Sequence, residues 1–244
     1  MINLFVNIFI GVYNLLFQNL GLTIIFIGAL SKAVLWPLTT ANLKHTKRMQ
    51  EIKPQLDLLK QRHGGDRKRL SEEQMRLFKE EGVNPAAGCL PLIVQIGLLI
   101  FLYQVVNQLI HRGLNTSFLF WDLAKPDVFH IGGVPFALPG VLVLLAAVTS
   151  LIQAKMMLPE PVLVNKEDKP KEREQKEDVA DAMASMQGQL VFLSPLLIAY
   201  AGTTFPAGLA LYWVVTTLLA IIQQYLTSGL GGLRGWLKKL KLIK

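Results

Sequence analysis

Long apolar stretches without charge dominate the chain, and short polar segments separate them. Residues 82–111, 128–154 and 182–233 contain no Asp, Glu, Lys or Arg, and Lys32 is the only charged side chain before Lys44. A bilayer core about 30 Å thick needs about 20 apolar residues of helix to cross it. The pattern therefore predicts an all-α, polytopic membrane protein with five transmembrane helices and a helical hairpin on one side.

Prolines and glycines mark several ends of these spans. Gly202 and Pro206 frame a tight turn between the last two spans, because Gly commonly ends a helix and Pro begins one. The predicted spans are residues 19–40, 89–110, 135–157, 187–201 and 206–227.

Residues 1–18 carry their polar side chains on one narrow face of a predicted helix. We interpret this segment as an amphipathic helix that lies in the outer interface of the membrane. An additional span is the alternative, and it would place the N-terminus inside. The polar residues, at steps of three or four, are Asn3, Asn7, Gly11, Asn14 and Gln18.

Residues 41–88 are predicted to form a charged helical hairpin. Met49 begins an apolar stripe at helical spacing, and Pro54 is expected to kink the first arm. Gly64 and Gly65 interrupt the pattern between the two arms. The hairpin is either a docking surface for a nascent chain, a ribosome or a translocation partner, or a solvated basic loop that only sets topology.

Three further segments lie outside the predicted spans. Residues 111–134 form an outer loop, and residues 158–186 form a charged connector with few apolar residues, typical of a flexible or solvated segment. Residues 228–244 form a basic tail that suits anionic lipid headgroups. The tail could equally contact ribosomal RNA, or serve only as a topology anchor.

Composition and charge agree with a membrane protein and give its orientation. The chain of 244 residues is 52% hydrophobic and 17% charged, against about 25% charge in soluble domains. With the N-terminus outside and the C-terminus inside, 22 of the 25 Lys and Arg residues fall on the inner side, where they are normally in excess. We expect a multi-pass protein of the inner (plasma) membrane, without a cleaved signal peptide because no basic region precedes the first apolar stretch.

Lys32 is the sharpest single feature of the sequence. It would lie about 10 Å inside the first span, where a charge normally faces a partner or a water-filled cavity. None of the 17 acidic residues falls in a span, so water is the remaining partner. A hydrophilic cavity open to the cytoplasm would solvate Lys32; the alternative is a side chain that stretches to the inner headgroups. The polar residues expected beside it are Gln95, Gln153, Gln187 and Gln223.

No constellation for catalysis or metal binding is present in the predicted spans. They contain no His, Asp or Glu that could activate a nucleophile or hold a metal. Cys89 is the only cysteine, so it cannot form an internal disulfide. We therefore expect a protein that is not an enzyme and that has no cofactor and no metal. A passive channel or small-solute transporter with the same hydrated cavity remains an alternative function.

Four ordered motifs resemble the YidC/Oxa/Alb family of membrane protein insertases, and the similarity runs from about residue 15 to about residue 227. Each motif lies at the topological place that the family predicts. They are KAVLWPLT at 32–39, MQEIKP at 49–54, GVNP at 82–85 with GCLPLIVQ at 88–95, and FPAGLALYW at 205–213 with IQQY at 222–225.

The resemblance implies five spans, a cytoplasmic hairpin and a cationic groove that is open to the cytoplasm and lipid. In that family a basic residue of the first span, usually Arg, lies in the groove. Lys32 occupies the matching position, and it keeps the charge but lacks the planar five-donor group of Arg. Trp213 and Gln153 would line the path of the substrate. The resemblance implies a minimal bacterial form.

The implied function is insertion and folding of membrane proteins without nucleotide hydrolysis. Short hydrophilic tails of nascent membrane proteins would enter the groove, and their apolar segments would pass into the bilayer. The expected partners are these substrates, a ribosome, a Sec translocon and anionic lipids, and no DNA.

Overall fold

A computed structural model describes residues 2–63, 65–84, 90–130, 137–158 and 193–239. This part of the chain is mostly helical, with four strands of two residues each. The helices are α1 (Ile2–Leu15), α2 (Leu20–Glu51), α3 (Lys53–His63), α4 (Arg67–Glu80), α5 (Leu90–His111), α6 (Val141–Met156), α7 (Leu193–Gly202), α8 (Ala207–Ser228) and α9 (Leu233–Lys239). The antiparallel strand pairs are β1 (Ser117–Phe118) with β2 (Trp121–Asp122), and β3 (Val128–Phe129) with β4 (Leu138–Pro139).

Helix α8 lies at the centre of the bundle. It packs along α2 on one side and along α6 on the other, and α5 contacts both α8 and α1. Gly28 of α2 faces Tyr212, Val215 and Thr216 of α8, and an added Cβ atom there would make ordinary contacts of 3.4–3.5 Å with their side chains.

The hydrophobic core lies at one end of the bundle, which we call the loop end because it carries residues 112–140. Its buried residues come from the start of α2, the last half of α5 and the start of α8, together with α1. The opposite end, which carries α3 and α4, is called the hairpin end. The main core residues are Val6, Phe9, Leu20, Ile24, Leu102, Val106, Leu109, Leu123, Leu209 and Tyr212.

At the loop end, other residues accept hydrogen bonds from the free backbone N–H groups at the starts of two helices. The carbonyl oxygens of Lys125 and Leu123 accept hydrogen bonds from the first two N–H groups of α8, at 2.8 and 3.0 Å. The carboxylate of Asp127 accepts one from the N–H of Leu142 in α6, at 2.6 Å. These bonds replace the missing partners at a helix start. Nearby, the hydroxyl of Thr116 donates to Asp122 and lowers the pKa of that carboxyl.

Two helix boundaries differ from the predicted spans. Helix α2 is continuous through Pro37 to Glu51, so the first span and the first part of the predicted hairpin are one helix about 48 Å long. Helix α6 begins at Val141, six residues after the predicted start of the third span. The β3–β4 pair and the Asp127 cap explain this later start, because they hold the chain extended up to Gly140.

The predicted hairpin is present as helices α3 and α4, which pack on each other. The first arm breaks at Ile52, and Pro54 lies in the first turn of α3, where its missing N–H removes no helix bond. The break between α2 and α3 replaces the predicted kink at Pro54. A small core joins Ile52 to Phe78 and Val83, with Met49 and Leu56 packed against it.

Helix α1 shows the amphipathic pattern expected from its sequence. Val6, Phe9 and Tyr13 are buried in the core, while Asn7 and Asn14 on the opposite face are exposed. Its 14 residues would extend about 21 Å. Whether α1 lies in the interface stays a prediction.

The described chain contains two helices, α2 and α8, that are long and apolar enough to cross a bilayer by themselves. The other apolar stretches assessed in the described helices are 10–17 residues long, among them Ile96–Leu109 of α5 and Val141–Met156 of α6. The five-span arrangement and its orientation therefore stay predictions. Gly64, Cys89, Gln187 and nearly all of the predicted connector 158–186 lie outside the described residues.

The contact between Gly21 and Phe118 provides a test of the loop-end core. A methyl group added at Gly21 would overlap the Phe118 ring, whereas Gly11 has nothing within 4 Å of an added methyl. We expect Gly21→Ala to lower the melting temperature of the detergent-solubilised protein, because overpacking costs about 1–3 kcal/mol. The matched Gly11→Ala variant should be unchanged or slightly more stable, because Ala favours the helix. Equal melting temperatures for the two variants would contradict this packing.

Candidate functional site

Lys32 lies on α2 one turn beyond Gly28, and its side chain is half-buried. Gly28 is the last buried residue of α2. No ion pair between Lys32 and a carboxylate occurs among the described residues. The charge therefore lies where the tight packing of the loop end gives way to an open half of the bundle.

The open half is visible in the exposure of the helices beyond this level. After Gly28, the described residues of α2 include none that is buried. On α5, Ile96 and Ile100 are about half exposed, whereas Val106 nearer the loop end is completely buried. Among the described residues, α2 and α5 are thus well buried at the loop end and more exposed from the level of Lys32 onwards, whereas α8 has buried residues as far as Gln224.

Gln223 of α8 forms a hydrogen-bond network with α2. Its Nε2 atom lies 2.9, 2.7 and 2.9 Å from the carbonyl oxygen of Trp36 and the hydroxyl oxygens of Thr39 and Thr40, which share its two N–H groups. Its Oε1 atom accepts a hydrogen bond from the Thr39 hydroxyl, at 2.9 Å. Gln223 is 1% exposed. In an apolar setting such a satisfied network orients the two helices, because each polar group would be costly without its partner. This side chain therefore lies in the α2–α8 interface and not on an open surface.

Trp213 connects α8 to α6 in a similar way. Its indole N–H donates to the hydroxyl oxygen of Ser150, at 3.1 Å. Gln153 lies one turn further along α6 and is half-buried. Trp213 and Gln153 are thus placed on neighbouring helices, on the same side of α8.

The structure distributes the predicted groove residues that it describes over α8 and three other helices. Lys32 lies on α2, Gln153 on α6, Trp213 and Gln223 on α8, and the backbone of Gln95 lies in α5. The direct contacts of Gln223 and Trp213 are to other residues, on α2 and α6. In the hairpin, Met49 packs on its small core, while Pro54 and Gly65 are exposed.

Sequence reasoning missed the partners that hold these side chains. Thr39, Thr40 and Ser150 complete the two interhelical networks, and each is a small hydroxyl residue within a predicted span. Such residues commonly bond between membrane helices. A search for hydroxyl residues within the spans could have found them, although it could not have assigned their partners.

Comparison with known proteins shows that the chain is similar to one family. The family described as 60Kd inner membrane protein matches residues 12–230. A membrane protein insertase YidC of Rickettsia massiliae is 34% identical over 218 residues, which is 85% of this chain and 35% of that protein. One from Syntrophobacter fumaroxidans is 32% identical over 213 residues, with similar coverage. The chain spans about a third of the length of these curated relatives.

A solved structure shares the fold. The crystal structure titled as an active YidC insertase with its first transmembrane domain resolved matches with a TM-score of 0.60 at 23% identity. The match covers 92% of this chain and 45% of the other. Similarity at this level supports the helical architecture described above.

The Gln223 network predicts an energetic coupling between α2 and α8. We expect Thr39→Val to destabilise the protein by about 1–3 kcal/mol, because Oε1 of the buried Gln223 loses the hydroxyl that donates to it. Gln223→Met should cost less, because the Thr39 hydroxyl still donates to the carbonyl oxygens of Leu35 and Trp36. The double variant should cost less than the sum of the two, as for residues in direct contact. Denaturant unfolding in detergent measures all three.

The control pair is Gln223→Met with Thr149→Val. Thr149 is also buried, but its hydroxyl donates to carbonyl oxygens of its own helix, Leu145 and Ala146. This pair should be additive. Additivity in the Gln223–Thr39 pair as well would show that the network does not couple the helices.

Proposed function

This chain belongs to the 60Kd inner membrane protein family, the YidC/Oxa/Alb group, and we propose that it is a membrane protein insertase and folding chaperone. Its substrates would be nascent membrane proteins that have a short hydrophilic tail beside an apolar segment. Relatives that match most of the chain are membrane protein insertases, which supports the proposal.

The asymmetric packing around Lys32 is the observation that carries this function. The loop end is filled by core side chains, while α2 and α5 lose their burial beyond the level of Gly28 and Leu102. Such a bundle would provide a groove that opens towards the hairpin end and is closed at the other. We propose that the hairpin end faces the cytoplasm, in agreement with the excess of Lys and Arg there.

Lys32 would give this groove a positive charge. A lysine without an ion-paired carboxylate needs water, and it attracts an acidic tail of a substrate. A hydrated groove spares the tail most of the desolvation cost that the hydrocarbon core would impose. Lys32 would thus act as an electrostatic attractor for the tail, without forming or breaking a covalent bond.

Release into the bilayer needs no nucleotide in this mechanism. The apolar segment of the substrate would leave along α6 and α8, beside Trp213 and Gln153. Its transfer from the wet groove to lipid is favourable by about 25 cal/mol for each Å² of apolar surface removed from water. This free energy would drive insertion, and the Gln223 and Trp213 networks would keep the three helices in register.

The hairpin would receive the substrate before it enters the groove. Helix α4 exposes Met75 among charged side chains, which suits a transient contact with an amphipathic or apolar segment. A ribosome or a Sec translocon is a further proposed partner at this end. We propose a location in the inner (plasma) membrane with the N-terminus outside and the C-terminus in the cytoplasm.

Charge changes at Lys32 test the electrostatic mechanism. In protein-free liposomes without ATP, we expect Lys32→Arg to insert an acidic-tailed single-span substrate normally and Lys32→Ala to insert it about tenfold more slowly. Lys32→Glu should be slower still, because it repels the tail. A substrate with a neutral tail should be affected less. Protection of the translocated tail from protease measures insertion.

The matched control is Lys44→Glu on the exposed part of the same helix, which should insert both substrates normally. Normal insertion of the acidic-tailed substrate by Lys32→Glu would refute the electrostatic role. Flux of small solutes without insertion would instead support a channel.

Water accessibility of α2 tests the groove itself. In a Cys89→Ser background, we expect Lys32→Cys to react with a membrane-impermeant maleimide from the cytoplasmic side only. Val34→Cys is the control, because Val34 is more exposed in the protein but would face lipid, where the reagent cannot react. Labelling of neither position would show that Lys32 reaches the headgroups instead of a hydrated groove.

A further inference from the structure

Four strongly exposed apolar side chains lie in two turns at the loop end. Leu15 and Phe17 precede the start of α2, and Leu119 and Phe120 form the tip between β1 and β2. Their exposed fractions, from 77% to 88%, are the highest among the large apolar residues whose exposure the structure describes. We call these four residues the loop-end patch.

The two turns that carry the loop-end patch are held beside each other. The ring of Phe118 lies directly against Gly21, in the first turn of α2. The hydroxyl oxygen of Tyr13 accepts a hydrogen bond from the N–H of Asn115, at 3.0 Å, which connects α1 to the segment before β1. Phe118 and Trp121 pack against the core. The core contacts of these flanking residues thus fix the tip in place, while the patch residues stay outside.

The tip of the β1–β2 hairpin has unusual residues for its turn. Phe118 pairs with Trp121, so Leu119 and Phe120 form a two-residue loop. Loops of this length favour Asn-Gly, because their backbone enters the left-handed region, where a Cβ atom is crowded. Leu119 adopts this conformation, with a φ of 54°. A bulky apolar residue therefore occupies an exposed position where asparagine or glycine would suit the backbone better.

The turn after α1 shows the same departure. Phe17 has a φ of 57° just beyond the last residue of α1, where helices commonly have a glycine. Strained backbone conformations of this kind cluster at functional positions. Two neighbouring turns thus each present a strained, bulky and exposed apolar residue, and this repetition indicates that the apolar surface has a use.

The long apolar helices indicate where this surface lies relative to a bilayer. Helices α2 and α8 are long enough and apolar enough to cross a membrane, and both begin at the loop end, at Leu20 and Ala207. Phe17 is three residues from the start of α2. Leu22 and Phe26 are exposed within the first two turns of α2 and continue the apolar surface from that level. The loop-end patch is therefore at the boundary of the bilayer that these helices would span.

The charge pattern favours lipid as the occupant of the patch. Residues 1–31 and 113–121 contain no charged side chain. The nearest charges along the chain from the tip are Arg112 and Asp122, and the carboxylate of Asp122 is paired with Lys125, at 2.9 Å. An uncharged apolar surface with aromatic side chains is typical of the boundary between lipid headgroups and acyl chains.

We propose that the loop-end patch is a wedge that inserts into the bilayer interface at this end of the protein. Its four side chains lie between the headgroups and the upper part of the acyl chains. Removal of this apolar surface from water offsets the strain of the two turns. The wedge fixes the depth of the loop end in the membrane. This role goes beyond the proposed insertase function and requires only that the chain resides in a bilayer.

Nitroxide labels on the full chain in phosphatidylcholine nanodiscs test the wedge. In a Cys89→Ser background, we expect labels at Phe17→Cys and Phe120→Cys to be accessible to oxygen and shielded from an aqueous nickel chelate. Power-saturation electron paramagnetic resonance should place them about 5–10 Å into the headgroup and acyl boundary. The matched controls are Asn14→Cys and Ser117→Cys, which are exposed polar positions three residues before each. Their labels should be accessible to the chelate.

A variant of the tip tests whether the two turns act together. Leu119→Asn with Phe120→Gly gives the tip the residues that its turn favours, so the melting temperature should be unchanged or higher. The label at position 17 should nevertheless move towards the headgroups, because half of the wedge is lost. The control is Phe129→Asn, which removes an exposed apolar residue of the same loop outside the patch and should leave that depth unchanged.

Equal access of the chelate to the patch labels and the control labels would overturn the wedge. Shielding of the patch labels from both oxygen and the chelate would indicate contact with a protein, and would overturn lipid as the occupant. An unchanged depth at position 17 in the tip variant would contradict the joint action of the two turns. None of these measurements depends on insertion of a substrate, so failure of the insertase proposal and failure of the wedge can be distinguished.

Discussion

The packing of α8 between α2 and α6 is the interaction on which the rest of the structure depends. Buried polar groups hold both interfaces: Gln223 bonds to Trp36, Thr39 and Thr40 on α2, and Trp213 bonds to Ser150 on α6. In a lipid environment the hydrophobic effect does not drive helix association, so close packing and interhelical hydrogen bonds determine which faces meet. These contacts set the position of every helix that carries a proposed site residue.

Given this central helix, the difference between the two ends follows from where apolar side chains are available. At the loop end, α1, α5 and the segment around Leu123 fill the space around the start of α8. Beyond Gly28 the described residues provide no comparable filling around α2, and the first charge of the chain lies there. A bundle that is well packed at one end and open at the other has the shape that our proposed insertion mechanism requires, because the substrate tail must enter a wet space that does not continue through the bundle.

Neighbouring glutamines of α8 have different surroundings. Gln223 is hydrogen-bonded to α2, whereas the side-chain oxygen of Gln224 is buried without a hydrogen-bond partner among the described residues. The direction of each side chain on α8 therefore decides whether it connects two helices.

The sequence by itself determined the helical class, the family and the special position of Lys32, because apolar runs, charge counts and ordered motifs are local properties of the chain. It also predicted the polar face of α1 and the hairpin. It did not determine that α2 continues unbroken past Pro37 or that α6 begins only at Val141, since these boundaries depend on caps and strand pairs made by distant residues. The sequence predicted Gln223 and Trp213 as groove residues, which stays a prediction, and only the tertiary structure showed their contacts with Thr39 and Ser150. The physical reason is that a polar side chain in a span can face water or a partner helix, and the arrangement of the neighbouring helices decides between the two.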